Sequence, residues 1–495
     1  MKVFHSPRRP RAAARFAILL TPLLVAGCMP GPDFRQPAAP PLGHYAGSSP
    51  APMADGGRGD AQRLLTDMQL PAQWWRLFHS AALDRLVTQA LASNPGLQSA
   101  RAALRQAQEE VAAQRGAYYP SVDASINTTR QRNAPTLSSP LQSNANYYTL
   151  TTAQVSVSYM PDIFGGNRRA LESLQAQAEV QRFQLEATYL TLTSNVALAA
   201  IQEAGLRAQI AATHDIIDSQ TRILAMVRRE FALGQLAESD VAAQEALLAQ
   251  AQATLPALEK QLAQQRDALA ALLGRYSSDD IAVHFNLADL QLPHDLPLSL
   301  PAQLVRQRPD VRAAQAQWQA ANAQVGEAIA NRFPKLTLSA GGGSSPTRFN
   351  DLFKDATNFW SLGAGLAQPI FEGGSLLHQE RAAQAANAQA EAQYRSTVVA
   401  AFQNVADTLF AIRSDADALA AAQTSASAAS KSLAIAQREL ALGDISEVAL
   451  LNAQQAVQQA QIALASAQAS RYADTVALFQ ALGGGWWNRQ DPSSR

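Results

Sequence analysis

Cysteine is nearly missing from this sequence, with a single residue, Cys28, among 495. A disulfide within the chain and a zinc site built from several cysteines are therefore excluded. The histidines, at positions 5, 44, 79, 214, 284, 294 and 378, show no metal-ligand spacing. Neither a Gly-x-Ser-x-Gly elbow nor a phosphate-binding G-x-x-x-x-G-K-S/T loop occurs. We therefore expect no enzyme and no bound metal or cofactor.

An excess of charge of one sign is missing as well. Forty basic residues balance forty acidic ones and are interspersed with them. This balance removes the usual electrostatic reason to expect a nucleic-acid partner. The apolar run from Phe16 to Ala26 is too short to cross a bilayer as a helix.

That apolar run follows a basic N-terminus. Together the two segments form the pattern of an export signal over residues 1–27. The run ends in "LVAGC", which resembles the bacterial lipobox and implies acyl chains on Cys28. An ordinary signal peptide with an incidental cysteine is the alternative. Met29 rather than aspartate follows, so the resemblance favours the outer membrane. Residues 28–70, rich in Pro, Gly and Ala, are predicted to be an acylated tether.

The rest of the chain is one unit written twice. Pro95 and Pro120 align with Pro309 and Pro334, and both pairs are 214 positions apart. "PDIFGGNRRA" aligns with "PIFEGGSLLH" by matching their prolines, and "REFALG" aligns with "RELALG" at a separation of 209. The predicted organisation is a first repeat at residues 71–274, a linker at 275–300, a second repeat at 301–483 and a C-terminal tail at 484–495.

Each repeat reads as helix, strand, strand, helix, turn, helix. Period-two alternation predicts four strands, near residues 121–127, 154–159, 335–340 and 360–366. Long helices are predicted at 168–233 and 375–442, about 90–100 Å each at 1.5 Å per residue. A return helix follows each, and Pro256 is expected to kink or interrupt the first return helix.

Four strands are too few to close a transmembrane barrel, and an open sheet edge is not tolerated in lipid. If the strands are in a membrane, several chains must contribute strands to one barrel. A trimer would supply twelve. The sequence therefore predicts an α+β membrane protein in which long helices continue from a shared barrel.

The sequence resembles the TolC-like outer-membrane factors, and among them the NodT-type efflux lipoproteins. The residues that carry the resemblance cover nearly the whole mature chain: "GCMPGPDFRQP" (27–37), "WWRLFHSAALDRLVTQALASNPGL" (74–97), "YYPSV" (118–122), "DIFGGNRR" (162–169), "QRPDVRAAQAQWQAANAQVGEAIANRFPKL" (307–336), "PIFEGG" (369–374) and both "LG" turns. The resemblance implies a homotrimeric duct with a twelve-stranded barrel and an α-helical periplasmic barrel. It also implies a periplasmic adaptor and an inner-membrane RND-type transporter as partners, and small toxic molecules as cargo.

The resemblance also suggests functional residues at the two helical turns. Leu233, Gly234, Leu442 and Gly443 would meet the adaptor at the periplasmic end. Asp240 would project into a closable aperture, although Ala449 occupies the matching position of the second repeat. Further aperture candidates, for each of which a solvated helix-end charge is the alternative, are Glu238, Asp444, Glu447 and Asn452.

Tryptophan pairs near both ends of the mature chain, Trp74-Trp75 and Trp486-Trp487, are expected to pack the terminal segments rather than to bind a ligand or the membrane interface. Phe359-Trp360 is the better candidate for an aromatic interface girdle. The "GGG" stretches at 341–343 and 483–485 are predicted to be flexible or bulged backbone.

Three functions are compatible with these patterns. An efflux duct is favoured by the lipobox and by "GPDF" at 31–34. A type I secretion duct would use the same architecture to export polypeptides. A lipid-anchored coiled-coil scaffold without a pore would not require strand pairs that recur in both repeats.

Overall fold

The computed structural model describes residues 31–38, 62–65, 68–134, 136–137, 143–279, 281–298 and 301–489. Within these ranges there are eight α-helices and six β-strands. The helices are α1 (Ala81–Ser93), α2 (Pro95–Arg115), α3 (Gly166–Ala232), α4 (Glu238–Leu272), α5 (Pro301–Gln307), α6 (Pro309–Ala330), α7 (Ser375–Leu442) and α8 (Glu447–Ala481). The strands are β1 (Arg63–Leu65), β2 (Ser121–Arg132), β3 (Tyr147–Tyr159), β4 (Asp295–Pro297), β5 (Lys335–Ser344) and β6 (Asn358–Ala367).

Helices α3 and α7 are 67 and 68 residues long, close to the predicted spans. Their sequences are rich in alanine, the strongest helix former. Helix α4 continues through Pro256, so the predicted interruption is wrong. Proline has no N–H, so the carbonyl of Gln252 lacks its helical donor. Both Gln252 and Pro256 are exposed, and water can therefore donate to that carbonyl. Among the described helices, none combines the length and the apolar character needed to cross a membrane.

Strands β2, β3, β5 and β6 form one antiparallel sheet in the order β2-β3-β5-β6. The pairing is one-to-one along every ladder. Gly341 to Gly343 lie within β5 in regular register, so the predicted bulge is wrong there. Glycine is needed at Gly343 because an added Cβ would overlap the carbonyl oxygen of Ala153 on β3. A separate parallel pair joins β1 to β4.

Strand pairing also corrects the alignment of the two repeats. Ser121 pairs with Ser158 at the base of the first hairpin, and Lys335 pairs with Ala367 at the base of the second. The structurally equivalent positions of β3 and β6 are therefore 209 apart, whereas matching the prolines of "PDIFGG" and "PIFEGG" gives 208. The long helices begin at Gly166 and Ser375, which gives the same spacing of 209.

The chain divides into two compact units, and each contains stretches from both sequence repeats. The first unit consists of residues 105–179 and 315–393 with the described residues before 37, and it contains the four-stranded sheet. The second consists of residues 180–314 and 394–489 with the described residues between 37 and 104.

The core of the second unit is aromatic. Trp74 is fully buried and its ring lies 5.5 Å from that of Phe479. Trp486 packs edge-on against Phe183 and donates a 2.6 Å hydrogen bond to the Gln307 carbonyl. The prediction that these tryptophans pack the terminal segments is confirmed.

The second "GGG" stretch is a buried turn after α8 rather than a bulge. Gly483, Gly484 and Gly485 all have positive φ. A Cβ on Gly484 would overlap the Leu190 side chain. Both the backbone conformation and the space therefore require glycine.

Candidate channel sheet and helix-hairpin tips

The four-stranded sheet has one apolar and one polar face. Residues that lie opposite each other on paired strands share a face of the sheet. Apolar side chains therefore lie on one side across all four strands, through the pairs Val122–Val157, Val157–Ala340 and Ala340–Leu362. The opposite side carries Ser, Thr and Gly, for example Ser156 opposite Gly341. The strands are 10 to 13 residues long, enough for the 9–11 residues that a tilted transmembrane strand needs.

Strands β2 and β6 are the two edges of this sheet. Every residue of both strands is exposed, including large apolar ones such as Trp360, which is 78% exposed. Within the described part of the chain, neither edge has a second strand beside it. The sheet thus presents two open ladders, which in lipid would leave backbone groups without partners.

The two hairpin turns have the same backbone design. Gly234 and Gly443 take positive φ of 75° and 80°. At the first turn the N–H of Gly234 donates to Phe231 O and that of Gln235 to Glu230 O. The second turn repeats both bonds 209 positions later. This pattern is the Schellman motif, which satisfies the last carbonyls of α3 and α7 and requires glycine.

The return helices are capped by complementary halves of one motif. A capping box joins an N-cap side chain to the N3 amide and an N3 carboxylate to the N-cap amide. At α4, the Asp240 carboxylate accepts a 3.0 Å hydrogen bond from the Ala237 N–H. At α8, Ser446 Oγ accepts a 3.4 Å hydrogen bond from the Ala449 N–H. The difference between Asp240 and Ala449 thus corresponds to two ways of capping equivalent helices.

The turn candidates are placed at the surface of their hairpins. Leu233 and Leu442 are 68% and 76% exposed, unusually bare for leucine. Exposed side chains also include Glu238, Asp444 and Asn452, whereas Asp240 is half-buried. Glu447 is the first residue of α8, and Glu238 is the first residue of α4. The roles of these residues in an aperture and in adaptor contact stay predictions.

One ion pair joins the two helices of the first hairpin near its turn. Arg228 Nη2 lies 2.7 Å from Glu245 Oε1, and both side chains are largely exposed. The positions 209 residues later are glutamines, Gln437 and Gln454, so the second hairpin has no equivalent ion pair. The two hairpins therefore differ in charge as well as in capping.

A buried arginine holds the N-terminal segment, and the sequence patterns gave it no role. Arg169 on α3 is 2% exposed and its guanidinium contacts Asp33 at 2.7 Å and Glu172 at 2.8 Å. Both partners are carboxylates, as a buried cation requires. The signal was present in the sequence, because Asp33 belongs to "GPDF" and Arg169 to "DIFGGNRR".

Close packing holds the same segment. Gly31 has a φ of 100°, and a Cβ there would come 2.5 Å from Gly326 Cα on α6. The ring of Phe34 packs edge-on against that of Trp318, 5.2 Å away. Cys28 lies outside the described residues, and its acylation stays a prediction.

A carboxylate pair on α7 and α8 is a second feature that sequence reasoning missed. Burial, with a smaller contribution from the hydrogen bond and charge of Asp474, raises the pKa of Asp415 to about 7, while Arg471 acts in the opposite direction. Helical spacing alone could not identify the pair, because its members are far apart in sequence. Among the described residues, no group of three His, Cys, Asp or Glu side chains could hold a metal ion.

Comparison with known proteins agrees with this geometry. The model of the family described as "Outer membrane efflux protein" matches residues 86–275 and 300–484. The solvent efflux pump outer membrane protein SrpC of Pseudomonas putida is 31% identical over 94% of this chain and 97% of its own. The pyoverdine export outer membrane protein OpmQ of Pseudomonas aeruginosa is 31% identical over 89% and 94%.

The fold is shared with solved channels. The outer-membrane channel OprN superposes with a TM-score of 0.81 at 26% identity, covering 93% of this chain and 100% of its own. The open-edged sheet and the paired long hairpins are thus one chain's share of a TolC-like outer-membrane duct, and the protein belongs to the outer membrane efflux protein family.

Proposed function

We propose that three copies of this chain form the passive outer-membrane duct of a tripartite efflux pump. The observation that carries the proposal is the sheet: it is apolar on one face, long enough to cross a membrane, and open at both edges. Lipid does not tolerate such edges, and three sheets would give twelve strands, an even number within the known range for such barrels.

The partners belong to the same proposal. A periplasmic adaptor would bind the two exposed Leu-Gly tips, and an inner-membrane RND-type transporter would supply energy and cargo. Acylation of Cys28 would add a lipid anchor. Support comes from the bare leucines at both turns and from the docking of the segment that follows Cys28.

The cargo is proposed to be small molecules, including drugs and other toxic compounds. Two relatives at the same 31% identity are named for different cargoes, one for solvents and the other for pyoverdine. Overall similarity of the duct therefore does not set the cargo. We assign that choice to the transporter.

Purification of the lipidated protein in mild detergent tests the duct. A native mass of three chains and discrete conductance steps in a planar bilayer are expected. A monomer without conductance would contradict the proposal. A silent trimer would be tested again with the turn variants described below, which should open it.

A further inference from the structure

The hairpin of β2 and β3 carries two positive charges and no negative one. In residues 124–161 the only charged side chains are those of Arg130 and Arg132. Both side chains are exposed, and among the described residues neither guanidinium is paired with a carboxylate. This part of the sheet is therefore free to bind an anion.

The hairpin of β5 and β6 has no such excess of charge. In residues 336–371 two basic side chains accompany two acidic ones. One of the basic groups is already paired, because Lys354 Nζ lies 2.5 Å from Asp351 Oδ1. The excess of positive charge thus belongs to the first hairpin alone.

The two arginines lie on the apolar face of the sheet, at the end of β2 away from α2. Val122 and its partner Val157 lie on that face. Since side chains alternate along a strand, every second residue after Val122 shares the face, including Arg130 and Arg132. Strand β2 begins shortly after α2 and ends at Arg132. In the proposed duct this face contacts lipid and this end is extracellular.

The spacing along β2 places both guanidiniums at the outer boundary of the membrane in such a duct. Val122 is the first apolar residue of the strand on this face, and Arg132 follows it by ten positions. Ten residues rise about 34 Å along a strand, or about 26 Å along a barrel axis at a tilt of about 40°. The apolar band of such barrels is about 25 Å tall. Arg132 therefore lies at its outer edge, and the long side chain of Arg130 can reach the same level.

An aromatic ring orders one of the two charges. Arg130 Cζ lies 4.9 Å from the centroid of the Tyr147 ring. The ring face attracts the guanidinium, and tyrosine favours the membrane–water interface. Tyr147 lies opposite Arg132 and is 57% exposed, so its ring can contact lipid while it holds Arg130. The first guanidinium is thus held in place for a ligand that approaches from the lipid side.

We propose that Arg130 and Arg132 bind the phosphate groups of lipid A, the phosphorylated glycolipid of the outer leaflet. The proposal rests on the duct, because it requires the apolar face in lipid and the hairpin ends outside the cell. Guanidinium groups pair with phosphate oxygens through bidentate, charge-assisted hydrogen bonds. Ser344 and Pro346 stand at the equivalent positions of the second hairpin. A trimer therefore has three such sites, one at each first hairpin.

Lipid binding to the purified full-length protein in mild detergent tests the site. The probes are diphosphoryl lipid A, the same lipid after removal of both phosphates, and phosphatidylglycerol. The wild-type protein should bind diphosphoryl lipid A and neither of the other two lipids with comparable affinity. Arg130→Gln with Arg132→Gln should weaken this binding about 25-fold, because each basic residue near an anionic lipid surface contributes about a factor of five. Added salt should weaken wild-type binding as well.

Two further variants control for lost charge and for lost assembly. Arg413→Gln removes one exposed positive charge from α7 and should bind lipid A as the wild-type protein does. Arg132→Gln alone keeps the contact between Arg130 and Tyr147 and should weaken binding about fivefold. This single variant tests the site even if the double variant fails to assemble.

The outcomes separate the lipid site from the duct. In a protein of trimeric native mass, full binding by the arginine variants, or equal binding of the dephosphorylated lipid, would overturn the site and leave the duct standing. Equally tight binding of phosphatidylglycerol would reveal a general anionic-lipid surface and overturn the assignment to lipid A. A monomeric native mass of the wild-type protein would instead refute the duct itself.

Discussion

At the scale of single residues, Arg169 ties the start of the described chain to the helical framework. A buried charge is tolerated only with partners, and Asp33 and Glu172 provide them. The motifs that contain Asp33 and Arg169 were both visible in the sequence. Their pairing was not, because residues 33 and 169 become neighbours only through tertiary packing.

Gly326→Ala tests this contact. Alanine favours a helix interior over glycine by about 1 kcal/mol, but here its Cβ would come 2.8 Å from Arg169 Nε. We expect a net loss of about 1–3 kcal/mol from overpacking and faster proteolysis around residues 31–38. Gly116→Ala, with nothing within 4 Å of its added Cβ, is the control and should be neutral. Equal protease resistance in both variants would refute the contact.

Asp415 predicts a pH dependence of stability. Its pKa of about 7 in the folded protein lies above the unfolded value of about 3.9. The folded state therefore binds the extra proton, so this group's contribution is complete below pH 4 and is lost as pH rises to 7. Asp415→Asn, which mimics the protonated form, should raise Tm at pH 8 and leave Tm at pH 4 nearly unchanged.

The control for that experiment is Asp417→Asn, at an exposed position of the same helix. Its Tm should follow the wild-type protein at both pH values. A gain at pH 8 in the control, or none in Asp415→Asn, would show that the pair with Asp474 does not set the dependence.

At the scale of elements, the hairpin turns show how far a sequence pattern extends. The repeated Leu-Gly and the glycine spacing predicted both turns, because a Schellman motif has a strong local signature. The difference between Asp240 and Ala449 was also visible. Its cause was not, because the two helices use opposite halves of a capping box and only backbone geometry identifies which hydrogen bond forms.

A pair of variants separates capping from gating at the first turn. Asp240→Ala removes both the cap and the charge, at a cost of about 1 kcal/mol. Ala237→Ser with Asp240→Ala installs the Ser-x-x-Ala cap of the second turn and should restore Tm. If a ring of Asp240 carboxylates controls the aperture, conductance should rise and cation selectivity fall in both variants. Recovery of wild-type conductance in the double variant would assign the effect to the cap alone.

The bare leucines at the tips predict a separate effect on adaptor binding. Leu233→Glu with Leu442→Glu should abolish adaptor binding and drug resistance in cells, because an apolar docking contact does not accommodate two buried charges. Trimer mass should be unchanged. Gln235→Glu, which adds charge at an exposed position of the first turn, is the control and should retain resistance. Full resistance in the leucine variant would place the adaptor contact elsewhere.

At the scale of the molecule, the internal repeat determined most of what could be predicted. It identified four strands, two long hairpins and their order, because period-two and helical patterns are local. It did not show that the true spacing of the two repeats after "PDIFGG" and "PIFEGG" is 209 rather than 208. The residues that the two motifs share match their prolines, whereas the equivalence of the strands depends on their hydrogen bonding. The units also combine segments from both repeats, which no local pattern indicates.

The two strand hairpins differ in length. Strands β2 and β3 form twelve pairs, whereas β5 and β6 form ten. Two extra pairs lengthen the first hairpin by about 7 Å. In a trimer, three taller and three shorter hairpins would alternate around the rim. The backbone ladders of the barrel wall would therefore end at two alternating heights, and the connecting loops would start from an uneven edge rather than from one plane.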